Sequence, residues 1–384
     1  MKIIIIAFVL LNLNFCGSKM TDVDQVFEAS KAHYTNMLES IKGTEKLPRS
    51  VDENGGLVLV GPYDWTSGFF PGSLWYLYEY SKEEKWKKAA EKYTGLLEEV
   101  QYFTGNHDIG FMMYCSYGNG YRLTKNEKYR KILLQSARSL CTRFNSTVGC
   151  IRSWDWNADE WQFPVIIDNM MNLELLMWAF QETGDSLFYN VAVTHANTTM
   201  KHHFRDDMST WHLVDYDTLT GESRIKQTWQ GLSDESAWAR GQAWGLYGYT
   251  MMYREAGVVK YLDLAEKIAQ YFMTHSNLPE DKVPFWDFDV QNENEPRDAS
   301  AAAIVASALI DLSKFSYNKQ GQYKQFANEI LESLSSRKYL AELRTNNNFI
   351  LKHSVGAKPE NKEVDVPLNY ADYYFLEALI KKAE

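Results

Sequence analysis

Cysteine is scarce in this chain: four in 384 residues, at positions 16, 115, 141 and 150. With Cys16 removed or modified the remainder is odd, so no disulfide framework stands behind the fold, although Cys141 and Cys150 are close enough in sequence to pair. No CxxC or HExxH pattern occurs, which argues against a built-in zinc site, and neither a metal nor any other cofactor is expected. Positive charge is also short, with 40 Lys and Arg against 50 Asp and Glu and a net charge of −10. A nucleic acid or an anionic membrane is therefore not an expected partner, and an acidic ligand would need cations placed locally. No Pro/Gly/Ser-rich linker divides the chain, and sustained apolar–polar alternation is missing. The apolar run at 3–13 is too short to cross a bilayer as a mature helix, and no transmembrane span is expected in the mature chain. Behind Lys2 and just ahead of Cys16, it reads instead as a signal segment over residues 1–16. The run Leu13-Asn14-Phe15-Cys16 is like a bacterial lipoprotein signal, with Phe15 where a small residue is usual; an ordinary signal peptide with an incidental Cys is an equal reading. Export to the periplasm, or an outer-membrane lipoprotein anchored at Cys16, is the expectation.

What the chain has in plenty is helix and aromatic surface. Apolar residues recur at three- and four-residue spacing, predicting helices near 21–42, 66–80, 83–99, 108–123, 126–144, 165–183, 185–204, 236–255, 259–276, 298–315, 320–335 and 369–382. The even-numbered ones are apolar, aromatic or Ala-rich all round, as in the stretch from Met170 to Ala179, which marks a buried helix. The third, fifth, ninth and eleventh are striped and charged, as in Lys82-Glu83-Glu84-Lys85-Trp86, which marks a helix facing water. Six inner helices alternating with six outer ones describe an all-α, single-domain (α/α)6 barrel over residues 21–384. All inner helices then run the same way, so their N-terminal ends meet at one mouth. The long connections 43–65, 145–164, 205–235 and 277–297 crowd that side and could build a cleft. Aromatics make up 14% of the chain, with 12 Trp and 24 Tyr; such residues stack on flat ligands as well as fill cores.

Two aspartates stand at that mouth. Asp108 opens His107-Asp108-Ile109-Gly110-Phe111, and Asp168 opens Asp168-Asn169-Met170-Met171, each just ahead of a buried run. Asp is among the best helix N-caps, and capping is the plain explanation. Against it, apolar residues precede both (Tyr102 and Phe103; Phe163, Val165, Ile166 and Ile167). Partial burial beside a like charge splits carboxylate pKa values into an acid and a base. His107-Asp108 also imitates a metal-binding dipeptide, but that chemistry needs further His and Asp ligands on neighbouring helices. Arg240 lies one turn into an apolar helix, four residues from both Ser236 and Trp244. It is either half of an internal salt bridge, with Asp234 or Glu235 at hand, or a fork for a substrate carboxylate beside the Trp244 face. Trp65 is a second aromatic platform or core, and His212 and Gln230 flank the polar loop between.

The segments Asp64-Trp65-Thr66-Ser67-Gly68-Phe69-Phe70-Pro71-Gly72, His107 to Phe111, Ile167 to Asn172 and Trp238-Ala239-Arg240-Gly241-Gln242-Ala243-Trp244-Gly245 resemble the unsaturated glucuronyl hydrolases of glycoside hydrolase family 88. Val364-Asp365-Val366-Pro367-Leu368-Asn369-Tyr370 fits the same family, and the likeness runs from about residue 25 to the end. The resemblance implies an (α/α)6 barrel with Asp168 as general acid/base and Asp108 as its partner carboxylate. It further implies sugar contacts from Trp65, His212, Gln230, Arg240 and Trp244. The implied substrate is a lyase-generated oligosaccharide, most often of glycosaminoglycan type, carrying a non-reducing-end Δ4,5-unsaturated uronate removed by hydration of its vinyl ether. Trp229, beside Gln230, departs from the family pattern and bears on aglycone choice; Lys352, His353 and Ser354 are placed to touch the distal sugar. The alternatives are an unsaturated rhamnogalacturonyl hydrolase acting on pectin fragments and a non-catalytic glycan-binding lipoprotein.

Overall fold

The computed structural model describes residues 22–384; the signal segment and Cys16 lie outside them. Helix α1 (Val23–Ser40) leads into a hairpin of β1 (Leu47–Val51) and β2 (Leu57–Val60), then α2 (Phe69–Ser81) and α3 (Glu84–Gly95). Next come α4 (Ile109–Met113) and α5 (Asn119–Thr124), joined by one π turn at Tyr114–Gly118, and then α6 (Glu127–Cys141). The strands β3 (Phe144–Asn145), β4 (Cys150–Ile151) and β5 (Pro164–Ile166) precede α7 (Asn169–Thr183) and α8 (Ser186–His202). After β6 (Leu213–Tyr216) and β7 (Ser223–Gln227) follow α9 (Ala239–Ala256), α10 (Val259–Thr274), α11 (Ala299–Phe315) and α12 (Gln320–Leu334). A last hairpin, β8 (Ser354–Ala357) and β9 (Lys362–Val366), leads into α13 (Asn369–Ala383).

The predicted toroid is present. In α9 every residue from Ala239 to Met252 is buried, whereas α3 buries only Trp86, Ala90, Tyr93 and Thr94, so helix character follows position in the ring. Around the inner ring α2 packs on the π turn, α4 on α7, α7 on α9, α9 on α11, α11 on α13, and α13 back on α2. The ring closes.

Two expectations are refined. The helix expected at 108–123 is broken by its π turn. The strands are also additions to an all-helical reading: four small antiparallel sheets, β1–β2, β3–β4, β5–β6–β7 and β8–β9, are built from the long connections. Each strand is five residues or fewer, too short for alternation to show. Among the described residues Cys115, Cys141 and Cys150 are free thiols, and no helix is long and apolar enough to cross a membrane.

An aromatic plug fills the mouth end of the barrel axis. Phe111 sits 5.5 Å from Phe69 and 5.2 Å from Trp244, and Trp244 lies 5.4 Å from Tyr374. Close approach of α4 to α7 depends on Gly110: a Cβ there would come within 2.6 Å of the Asn172 Cα.

Candidate active site

The small sheets position the chemistry. The register of β5 on β6 pairs Ile166 with Leu213, and the Ile167 amide donates to the His212 carbonyl at 3.0 Å. That places Asp168, just past β5, beside His212, just before β6. The His212 Nδ1 accepts amide hydrogens from Trp229 (2.9 Å) and Gln230 (3.3 Å), so the ring hydrogen sits on Nε2, which faces the Asp168 Oδ2 at 3.7 Å. Burial, with Arg240 nearby, lowers His212 to about 3, so it stays neutral.

Asp108 and Asp168 occupy the N-cap positions of α4 and α7, yet neither side chain accepts a cap hydrogen bond. Asp22, Asn126, Asp185 and Asp298, by contrast, do cap their helices with their side chains. The two mouth aspartates are therefore not there to cap. Burial raises Asp168 to about 7 despite the pull of Arg240. Burial, then the charges of Asp168 and Asp64, raise Asp108 well above the ordinary carboxylate range. Both carboxyls therefore hold a proton more tightly than an exposed aspartate does.

His107 is buried and neutral, lowered to about 3 mainly by burial; its Nε2 lies 3.3 Å from the Asp108 Oδ1 and its Nδ1 3.5 Å from the Ser153 Oγ. Its neighbours are thus Asp108 and a serine, and among the described residues no three His, Cys, Asp or Glu side chains gather as metal ligands would.

Arg240 is 1% exposed, and its partner is Asp298 at 2.9 Å, not Asp234 or Glu235. The reason is topological: Asp298 caps α11, the next inner helix, while Asp234 accepts the Thr228 amide and Glu235 points toward Arg205 from a largely exposed position. The guanidinium also donates to the Val355 carbonyl and to the Gly356 carbonyl (2.6 Å), which Gln230 Nε2 reaches as well at 3.1 Å. Of its five N–H groups the Nε–H and one on Nη2 remain. Trp244 is fully buried, its ring packed by Phe111 and Tyr374, so it offers the site its unpartnered indole N–H in place of an open face. Trp65 is partly exposed, 5.1 Å from Tyr370. Of the three residues expected near a distal sugar, Lys352 donates to the Arg337 carbonyl, His353 pairs with Asp365, and Ser354 is buried.

Three further tryptophans and a tyrosine, none of them expected from the sequence, join Trp229 at the site. Trp154 stacks on Trp156 at 4.6 Å, with Trp161 and Trp229 edge-on to Trp156 at 5.4 and 5.1 Å, and Trp156 stays 45% exposed. This wall adjoins the aspartates because the His107 amide donates to the Ser153 carbonyl. Tyr370 is buried with its hydroxyl unpartnered, 5.3 Å from the Arg240 guanidinium. Buried polar atoms with no hydrogen-bond partner among the described residues gather here: Asp168 Oδ2, Asn169 Oδ1, His212 Nε2, Arg240 Nε, Trp244 Nε1 and the Tyr370 hydroxyl. Such atoms are rare in folded proteins, and clustered ones point to a bound ligand.

An (α/α)6 toroid with two buried, uncapping carboxyls and an aromatic wall at its mouth has the layout of a carbohydrate-active enzyme. The sequence profile of Glycosyl Hydrolase Family 88 matches residues 48–381, and the chain belongs to that family. It is 46% identical over 364 residues to the unsaturated glucuronyl hydrolase of Formosa agariphila, covering 94% of this chain and 90% of that one. It is 33% identical over 344 residues to an unsaturated chondroitin disaccharide hydrolase of Streptococcus agalactiae, covering 88% and 86%. A crystal structure of an unsaturated glucuronyl hydrolase specific for heparin superposes with a TM-score of 0.90 at 51% identity, covering 94% of this chain and 97% of that one.

Proposed function

We propose that this glycosidase removes a Δ4,5-unsaturated uronate from the non-reducing end of glycosaminoglycan-type oligosaccharides. The observation that carries the reading is the pair of N-cap aspartates that do not cap: Asp168, raised to about 7, holds a proton ready for transfer at physiological pH. In this mechanism Asp168 delivers its proton to C4 of the vinyl ether, and positive charge spreads over C5 and the ring oxygen. Water then adds at C5 while Asp168 takes back a proton. The resulting hemiketal opens and releases the aglycone, so atoms and charge balance without attack at the anomeric carbon. Asp108 hydrogen-bonds a ring hydroxyl and holds the sugar in position for the transfer. The remaining N–H groups of Arg240, with the Tyr370 hydroxyl, meet the uronate carboxylate. Gln230 and the His212 Nε2–H meet hydroxyls, Trp65 packs on the ring, and Trp156 and Trp229 offer faces to the next sugar.

The test is to incubate the protein with unsaturated disaccharides prepared from heparin, chondroitin, hyaluronan and pectin, following the ultraviolet absorbance of the double bond. Absorbance should fall with a glycosaminoglycan disaccharide. A fall with the pectin product alone would move the activity to rhamnogalacturonyl substrates, and no change with any of them would sink the reading.

The same proposal extends to location. Lys2, the apolar run at 3–13 and Cys16 support export with a lipid anchor. Labelled palmitate should enter the wild-type chain expressed in a bacterium and not Cys16→Ala; equal labelling of both would refute the anchor.

A further inference from the structure

We propose that the toroid carries a second binding site, at the opposite end of its axis from the aspartates, and that its ligand is a neutral sugar. A cavity of about 390 Å³ opens there, among the C-terminal halves of the inner helices, reaching from Lys381 and Arg254 inward to Phe111 and Tyr374. That volume falls within the small-molecule range of about 300–1,000 Å³. At the mouth end the same axis is plugged by Phe69, Phe111 and Trp244, so an open rear half is a choice of side chains and not a property of the ring.

Three features of the wall define the ligand. First, its inner charges cancel. Arg254 pairs with Glu174, Glu255 and Asp311, and Lys381 with Asp311 (2.7 Å) and Glu377 (3.3 Å), while Lys125 stands at the rim over the Tyr121 ring. Arg122 pairs with Glu79, and Lys314 with Asp311 and Glu384, so among the described residues every cation lining the cavity except Lys125 at the rim has a carboxylate partner, which separates this cavity from the mouth proposed to take a uronate. Second, its faces are aromatic: Trp178 lies 6.3 Å from Tyr114 and 5.6 Å from Tyr121. Third, it holds donors without partners. Tyr374 is 2% exposed and lines the cavity, and its hydroxyl makes no hydrogen bond to any described residue; nor do the Tyr114 hydroxyl and the Trp178 indole N–H. Apolar faces, free hydroxyls and balanced charge suit a molecule with C–H faces and many hydroxyls.

The backbone gives an independent sign. Tyr114 begins the π turn that interrupts the inner helix, and Tyr114, Cys115 and Gly118 from that turn all line the cavity. Single π turns are uncommon and concentrate at functional sites, where the extra residue re-aims a side chain. Among the described residues the π turn faces the rear cavity, one turn away from the aspartate mouth.

Isothermal titration of the full chain with glucose, N-acetylglucosamine and glucuronate tests the assignment. A neutral sugar should bind saturably. Trp178→Ala should weaken that binding about tenfold, the order expected for loss of one aromatic contact. Tyr114→Phe, which deletes one oxygen and keeps the ring, should weaken it to a lesser extent and settles the matter if Trp178→Ala fails to fold. Trp65→Ala, at the mouth, should leave it unchanged. The site is disproved by absence of saturable binding for both neutral sugars. It is equally disproved if binding is lost in Trp65→Ala and kept in the two rear variants, or if glucuronate binds at Trp178 as tightly as the neutral sugars.

Discussion

Asp168 is where burial, charge and helix geometry are in tension. A capping carboxylate would be stabilised in its ionised form by amide hydrogens, but this one forgoes the cap and is held up at about 7 from an ordinary 3.8, mainly by burial. The native state therefore binds a proton more tightly than the unfolded chain. Between roughly pH 4 and 7 this group makes stability fall as pH rises, with a limiting slope of about 1.4 kcal/mol per unit. Asp168→Asn should remove that slope and melt higher than wild type above pH 7, while lowering kcat by roughly 10²–10⁴-fold. In the wild type kcat/KM should decline above about pH 7 as Asp168 loses its proton. Thermal melts across pH and an initial-rate profile check all three, and an Asn variant with wild-type turnover would remove Asp168 from the chemistry. Both aspartates were legible in the sequence as helix starts before buried runs. Their failure to cap was not, because it depends on packing that brings His212 beside Asp168 from 44 positions along the chain.

At the level of elements, the β8–β9 hairpin is the piece that finishes the mouth. Its flanking and internal residues His353, Glu363 and Asp365 adopt left-handed φ angles of 62°, 52° and 56°, which non-glycine residues keep only when the surroundings hold them. The holders are visible: Arg49 grips Glu363 with two hydrogen bonds (2.7 and 2.9 Å), and Arg240 and Gln230 hold the Gly356 carbonyl. Arg240 in turn depends on Asp298. Asp298→Ala should cost roughly 3–5 kcal/mol, because it leaves a buried guanidinium without its counter-charge. It should also raise KM as the hairpin loosens, whereas Asp298→Asn, which can still cap α11, should cost less. Urea midpoints and initial rates check this; a loss under about 0.5 kcal/mol would put the pair among ordinary surface contacts. Helices were legible because their periodicity runs over ten or more residues, and inner and outer ones differed in how far round the apolar residues extend. The hairpins were not, since strands such as Ser223–Gln227 are short and charged and owe their form to the helices they bridge. Arg240 was legible as a buried charge in need of a partner, but its partner, 58 residues on, was not.

For the whole molecule, closure of the ring decides how it unfolds. An open array of helical hairpins would lose its repeats one at a time, since each touches only its neighbours. Here α13 packs on both α11 and α2, and the chain's last helix sits against its first inner one. The join is specific as well as apolar: the Asn369 Nδ2 donates to the Pro48 carbonyl (2.9 Å) and the Thr66 carbonyl (3.0 Å). Asp372 accepts the amides of Ile350 and Leu351, both at 2.9 Å. Glu377 accepts hydroxyls from Tyr76 on α2, Tyr247 on α9 and Ser307 on α11, tying three inner helices to the fourth. Because these acceptors are buried, removing α13 strands their donors in addition to exposing the apolar faces of α2 and α11. The full chain should therefore melt in one transition, with calorimetric and van't Hoff enthalpies in agreement. A chain ending at Leu368 should show no cooperative melt and no turnover, although most of its hairpins are intact in sequence. Scanning calorimetry of the two proteins decides the point. A truncated chain that still melts cooperatively would mean that the hairpins stand without closure, and that the mouth, built from the N-terminal ends of all six inner helices, does not need the ring to hold its geometry.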